Sequence, residues 1–134
     1  MTEPDGIRAF VADHAGELAA DLDQWLRIPG ISAQPEHHAD VARSAQWLAE
    51  AFARTGFPVA EVWPTDGLPA VYAEWPSPDA GAPTVLVYGH HDVQPVDPLE
   101  LWEHPPFEPT RAVVDGVEVL RARGASDDKG QLLF

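Results

Sequence analysis

Thr84-Val85-Leu86-Val87-Tyr88-Gly89-His90-His91-Asp92-Val93-Gln94-Pro95 is an apolar run that ends in two histidines and an aspartate. Thr84 to Gly89 is apolar on both faces, which predicts a central, buried strand. Residues i and i+2 of an extended chain share a face. His90 and Asp92 therefore project together, and His91 points the other way. A metal-binding imidazole commonly gives its second ring nitrogen to a carboxylate, which sets tautomer and ring orientation. One short peptide thus offers a metal ligand and its clamp. Taken alone, the triplet reads equally as a surface turn whose Asp and His cap backbone groups. His38-Ala39-Asp40 has the same spacing but opens a helix, where i and i+2 do not face each other. With His37 it reads as solvated surface and helix N-terminal charge.

Upstream of this stretch, two helices are predicted. Ile7, Phe10, Val11, His14, Leu18, Leu22, Trp25 and Leu26 recur at helical spacing, with Pro4 in the first turn and Pro29-Gly30 as the stop. His14 on this stripe reads as a packed histidine. After a connector from Ile28 to Pro35, a second helix runs from about Glu36 to Thr55, with Val41, Ala45, Leu48 and Phe52 on one face. Gly56 sits where a left-handed cap belongs, and Pro58 follows. Val59 to Trp63 and Ala70 to Trp75 are strands around Asp66-Gly67. Trp25, Trp47, Trp63 and Trp75 read as core or half-buried.

Downstream, residues 92–109 form a long proline-rich loop, and long ordered loops in compact domains are usually functional. Within it, His104 lies among prolines and aromatics and is not assigned to the site. Arg111 to Val114 and Val117 to Arg121 flank Asp115-Gly116, which predicts a hairpin with a type I′ turn. Gly124 to Gly130 is a tight loop, and Gln131 to Phe134 is the first turn of a helix. An apolar helix end of this length is not stable alone, since isolated helices below ~12–15 residues are marginal. Residues 1–134 are therefore expected to be an N-terminal fragment of a longer protein.

Composition narrows the function. With 22 acidic and 8 basic residues the net charge is −14, which argues against nucleic acid and against an anionic membrane surface. There are no cysteines, so any metal must be held by His and carboxylate. No secretory signal opens the chain and no apolar run approaches the ~20 residues of a transmembrane helix. A cytoplasmic protein is the expectation.

The second constellation is Arg123-Gly124-Ala125-Ser126-Asp127-Asp128-Lys129-Gly130. Adjacent carboxylates at a turn into a helix favour a nearby cation. Lys129 serves partly; a bound metal serves better. A phosphate loop needs Gly-Lys-Ser/Thr, whereas here Lys129 precedes Gly130. Ser126 or Asp127 as a helix N-cap is the simpler structural reading of this segment taken alone.

Together these segments resemble the co-catalytic zinc metallopeptidases of the carnosinase and aminoacylase type. The resemblance runs from Leu26-Arg27-Ile28-Pro29-Gly30-Ile31-Ser32 through Gly89 to Pro95 and Trp102 to Pro109, and ends at Arg123 to Gly130. The Val93-Gln94-Pro95 and Asp127-Asp128-Lys129 forms are most similar to the dipeptidase branch. Arg121-Ala122 departs from the aromatic-glycine pair common before Arg-Gly. The resemblance implies an α/β fold, a zinc-exopeptidase-like catalytic domain with a mixed sheet flanked by helices. It is truncated here, with the rest of the domain and the lid or dimerisation domain absent. It implies two zinc ions per complete site, with manganese or cobalt as alternatives. His90 matches a zinc ligand, Asp92 the catalytic carboxylate that orients it, and Asp127 the bridging ligand. Asp128 is its neighbour and is not a ligand. The bond between Asp127 and Asp128 is expected to be cis.

The implied reaction is hydrolysis of a small peptide by a protein that is a homodimer at full length. The residues 1–134 alone are expected to bind zinc weakly and to be inactive, because the other ligands and the glutamate base follow later in the family. Two alternatives remain: an amidase or deacylase of N-acyl amino acids, or a degenerate, non-enzymatic module. A sheet cut short is also expected to leave an exposed edge, with low stability and association in solution.

Overall fold

Leu22, Trp25, Leu26, Ile31, Val41, Ala45, Leu48 and Val93 are the buried apolar residues around which the chain is organised. The structure is a computed structural model that describes residues 3–133, with side chains from Asp5 onward. Helix α1 spans Glu3–Leu26 and helix α2 spans His38–Arg54, preceded by a 3-10 turn at Pro35–His37. On α2 the predicted stripe is realised: Val41, Ala45 and Leu48 are buried, and Phe52 is half-buried. Gly56 takes the left-handed conformation (φ 97°) that ends the helix. Trp25 of α1 stacks on Trp47 of α2, with ring centroids 5.0 Å apart. The Trp25 indole N–H donates to Ser44 Oγ at 2.9 Å, and Ser44 Oγ donates to the His91 carbonyl at 3.0 Å. One buried hydroxyl thus links both helices to the motif peptide.

Strands β1 (Val59–Trp63) and β2 (Ala70–Glu74) form an antiparallel pair, Val59 opposite Glu74 and Trp63 opposite Ala70. Helix α2 packs on both. Strands β3 (Thr110–Val114) and β4 (Val117–Arg121) form a second antiparallel pair. Asp115 (φ 52°) and Gly116 (φ 80°) both take the positive φ of a type I′ turn. Helix α3, Lys129–Leu133, packs on α1. None of the described helices is long and apolar enough to cross a membrane.

Three expectations are corrected. The predicted buried strand from Thr84 to Gly89 is unpaired, and Val85, Leu86, Val87 and Tyr88 are 81%, 91%, 78% and 87% exposed. A strand is buried by its neighbours, and no described strand pairs with this one. The sheet elements are two separate hairpins, and a single parallel bridge, Ile31 to Val93, lies outside both. Second, only the last turns of the α1 stripe are covered; Ile7, Phe10 and Val11 are exposed. A helix of 24 residues extends ~36 Å, beyond the elements that bury its C-terminal end. Third, Trp63 and Trp75 are exposed rather than packed in a core; each makes a surface ring contact, Trp63 stacked on Tyr72 and Trp75 edge-on to Phe57. Phe134, part of the predicted apolar end, lies outside the described residues.

The exposure of the 84–88 segment has a direct test. Leu86→Ser is expected to change the unfolding free energy by no more than about 0.5 kcal/mol, where loss of a buried leucine side chain would cost ~2–5 kcal/mol. A urea titration of the two proteins checks it.

Candidate metal centre

The connector after α1 brings the first half of the site into place. Val93 N–H donates to the Gly30 carbonyl at 2.9 Å, and Ile31 bridges Val93 in parallel. This zips residues 30–31 onto the motif peptide. His90 and Asp92 then face the same side, as the i, i+2 rule requires. His90 Nδ1 lies 3.0 Å from Asp92 Oδ1 and 3.1 Å from the Asp92 carbonyl. His91 turns the other way, with Nε2 3.3 Å from the Pro69 carbonyl. Its Nδ1 is buried with no hydrogen-bond partner among the described residues. Burial therefore holds the His91 pKa below its ordinary value.

The loop from Gly124 to Gly130 supplies the second half. Gly124 has φ 88°, and a Cβ there would stand 2.8 Å from Val93 Cγ1. The glycine lets the loop cross directly over the motif peptide. Arg123 anchors the entry to the loop. Its Nη2 donates to the Pro95 carbonyl at 3.0 Å, and its guanidinium lies 4.9 Å from the Trp102 ring centroid. The Trp102 indole donates to the Val96 carbonyl at 2.8 Å. The long proline-rich loop thus braces one half of the site against the other. The Asp127–Asp128 peptide bond is cis, as expected from the resemblance; Asp97–Pro98 is also cis.

Asp127 and Asp128 divide their contacts. Asp127 Oδ1 lies 3.0 Å from His90 Nε2, while Asp128 Oδ2 accepts the His90 backbone N–H at 3.2 Å. His90 thus stands between two carboxylates, Asp92 at Nδ1 and Asp127 at Nε2. Partial burial alone would lower its pKa, but the hydrogen bond to Asp127 and the charge of Asp92 outweigh it and raise it. A neutral imidazole carries one N–H and cannot donate at both nitrogens. Either the ring is an imidazolium, or a cation replaces the Nε2 proton while Nδ1–H stays on Asp92. The 3.0 Å separation of Nε2 and Asp127 Oδ1 is close to the ~3.3 Å between two ligands of a tetrahedral zinc with bonds of ~2.0–2.1 Å. The donor set of imidazole and carboxylate suits zinc, and manganese or cobalt as well. Among the described residues, no group of three or more His, Asp or Glu side chains is placed so that it could hold one metal ion.

Two residues of this centre take roles that the sequence reading did not give them; Lys129, expected to offset the charge of Asp127 and Asp128, binds backbone carbonyls instead. Ser32 Oγ donates to Asp92 Oδ2. Lys129 is fully buried, and its Nζ donates to the carbonyls of Trp25 (2.8 Å) and Ile28 (3.0 Å). Neither has a local signal. Ser32 is 60 residues from its partner, and Lys129 is more than 100 from both of its own. A cavity of about 340 Å³ opens beside the carboxylate loop, lined by Trp102, His104, Leu120, Arg121, Ala125 and Ser126 among others. His104 lines this cavity and makes no contact with the His90 cluster. His38 stands apart too, with Nε2 on the Ser32 carbonyl at 3.2 Å, and Asp40 pairs with His37 and Arg43.

Comparison with known proteins gives a consistent picture. Residues 86–134 match the family described as Peptidase family M20/M25/M40. The Cys-Gly metallodipeptidase DUG1 of Saccharomyces cerevisiae is 31% identical over 124 residues, covering 84% of this chain and 25% of that protein. The succinyl-diaminopimelate desuccinylase of Hahella chejuensis is 50% identical over 58 residues, 43% of this chain and 14% of that protein. The crystal structure of human carnosine dipeptidase 1 superposes with a TM-score of 0.81 at 29% identity, covering 99% of this chain and 29% of that one. The chain spans about a quarter of the length of the dipeptidases it matches. Its α/β arrangement is that of the corresponding part of a metallopeptidase catalytic domain.

Proposed function

This chain belongs to peptidase family M20/M25/M40, and on that premise we propose that it carries one half of a dinuclear zinc site for hydrolysis of dipeptide bonds. The observation that carries the reading is the position of His90, clamped by Asp92 at one nitrogen and facing Asp127 with the other. His90 Nε2 and Asp127 are the ligands. Asp92 keeps the Nδ1 proton and so leaves the Nε2 lone pair free for metal. Asp127, whose side chain is largely exposed, would be the carboxylate shared by the two ions. Asp128 holds the His90 backbone N–H and stays outside the coordination sphere. Bound zinc lowers the pKa of a coordinated water towards ~7 and polarises the scissile carbonyl.

Residues 1–134 form the N-terminal portion of the catalytic domain in this reading. The remaining ligands and the general base come from the portion of the domain that this chain does not contain. A zinc site takes three or four protein ligands, and this chain offers two. It is therefore expected to bind zinc weakly and to leave dipeptides intact. His90→Ala and Asp127→Ala are each expected to abolish the residual zinc binding measured calorimetrically, with the fold kept by circular dichroism. Tight, stoichiometric zinc together with dipeptidase activity in the 134-residue chain would overturn the assignment. In a protein carrying the whole catalytic domain, Asp92→Ala is expected to lower kcat at least ~10-fold through the lost imidazole clamp.

A second reading has its own support. The 50% identity to a desuccinylase over 58 residues favours hydrolysis of an N-acyl amino acid by the same site. Assay of the whole catalytic domain against dipeptides and N-succinyl or N-acetyl amino acids separates the two.

A further inference from the structure

Asp92 has two carboxylate oxygens, and each has a different donor. Oδ1 faces His90 Nδ1 at 3.0 Å, and Oδ2 accepts from Ser32 Oγ. Ser32 follows Ile31 and Asp92 precedes Val93, the two residues of the parallel bridge. Ile31 and Val93 turn into the core, where they are 1% and 2% exposed. Alternation therefore turns Ser32 and Asp92 together to the opposite side. The Ser32 backbone is held independently: its carbonyl faces His38 Nε2 at 3.2 Å, and Gly30 and Ile31 are tied to Val93. The hydroxyl is thus not needed to keep the connector in place, and it is aimed at the one carboxylate that orients His90.

A carboxylate with one bound oxygen rotates about its Cβ–Cγ bond and lets its partner ring tilt. A carboxylate bound at both oxygens does not. We propose that Ser32 is a positioning residue of the metal centre: it fixes the plane of the Asp92 carboxylate, which fixes the His90 imidazole with Nε2 towards Asp127. The inference rests on the reading of His90 as a ligand, and its test is chosen to separate the two.

The test uses the 134-residue chain labelled with 15N at histidine, observed by NMR without metal and then with zinc chloride alone. In the unsubstituted chain the His90 Nδ1 proton is expected to be strongly deshielded and slow to exchange. Ser32→Ala is expected to return that proton towards solvent-exposed values and to weaken zinc binding at His90 ~10-fold or more, the effect of losing an outer partner of a metal ligand. Ser32→Thr, which keeps the hydroxyl, is expected to restore both. An unchanged His90 signal in Ser32→Ala overturns the proposal. So does failure of Ser32→Thr to restore the signal while its backbone amide spectrum remains that of the folded chain. If zinc leaves the His90 resonances of the unsubstituted chain unmoved, the ligand reading falls. The metal-free comparison still decides the role of Ser32.

Discussion

Lys129→Ala is expected to destabilise the folded chain by about 3 kcal/mol, read from the midpoint of a urea titration. Lys129 is fully buried, and its ammonium binds the carbonyls of Trp25 and Ile28 at 2.8 and 3.0 Å and lies 5.5 Å from the Trp25 ring centroid. Helix α1 ends at Leu26, so the Trp25 carbonyl belongs to its last turn, where carbonyls lack partners within the helix, and the Ile28 carbonyl to the turn that follows. A cation there also complements the helix dipole. Alanine takes the ammonium from both oxygens, which keep only the backbone N–H groups of Ile28 and Gly30 at 3.1 and 2.9 Å, and leaves a cavity where the four-carbon stem lay. Lys129→Met keeps the stem and removes only the donor. A Lys129→Ala midpoint equivalent to a change under about 0.5 kcal/mol would show that water or a side-chain shift replaces the ammonium.

The same residue sets a pH dependence. Burial pushes the Lys129 pKa from 10.5 down to about 7, with the charge of Asp92 opposing the shift. The unfolded chain holds this proton up to ~10.4, while the folded chain sheds it near 7. Between those values the unfolded state binds more protons, so stability rises with pH. Below pH 7 both states are protonated and the burial cost is present in full. Urea midpoints at pH 6.5 and pH 9 are expected to increase in the unsubstituted chain, and Lys129→Met is expected to lose that increase.

Gly130→Ala is expected to open the carboxylate loop and cost about 3 kcal/mol or more, at the upper end of overpacking effects. A Cβ at Gly130 would stand 2.0 Å from the Ala125 carbonyl oxygen and 3.1 Å from its carbon. Both are backbone atoms of the loop itself and cannot swing aside as a side chain does. Relief requires residues 125–130 to separate, which moves Asp127 away from His90. Gly16→Ala is the control: a Cβ there meets nothing within 4 Å, and alanine in a helix interior is favoured by ~1 kcal/mol. Urea midpoints and the NOE between the His90 ring and Asp127 are the readouts. A Gly130→Ala chain that keeps both would show that the loop accommodates the methyl by a shift of its whole backbone.

Features decided by nearest neighbours were legible. Helix α2 followed from apolar residues at helical spacing, its end from Gly56, and the second hairpin from Asp115-Gly116. The shared side of His90 and Asp92 followed from strand alternation alone, and Asp127 entered through its order relative to that pair. The approach of Asp127 to His90 itself, across 37 residues, was implied by resemblance rather than by any local rule.

What the sequence by itself determined is therefore local: helix and turn positions, the His-x-Asp geometry, and a donor set without thiolates. The tertiary structure alone decided which of these were covered and by what. Thr84 to Gly89 has the composition of a central strand, yet burial depends on strands beside it, and it stands exposed. Ser32 and Lys129 carry no pattern, because a hydroxyl at 60 residues' distance and an ammonium at more than 100 find their partners only when the chain folds. One connector, from Trp25 to Ser32, meets both halves of the site, through Lys129 on one side and Asp92 on the other. Periodicity has no term for contacts between segments that far apart.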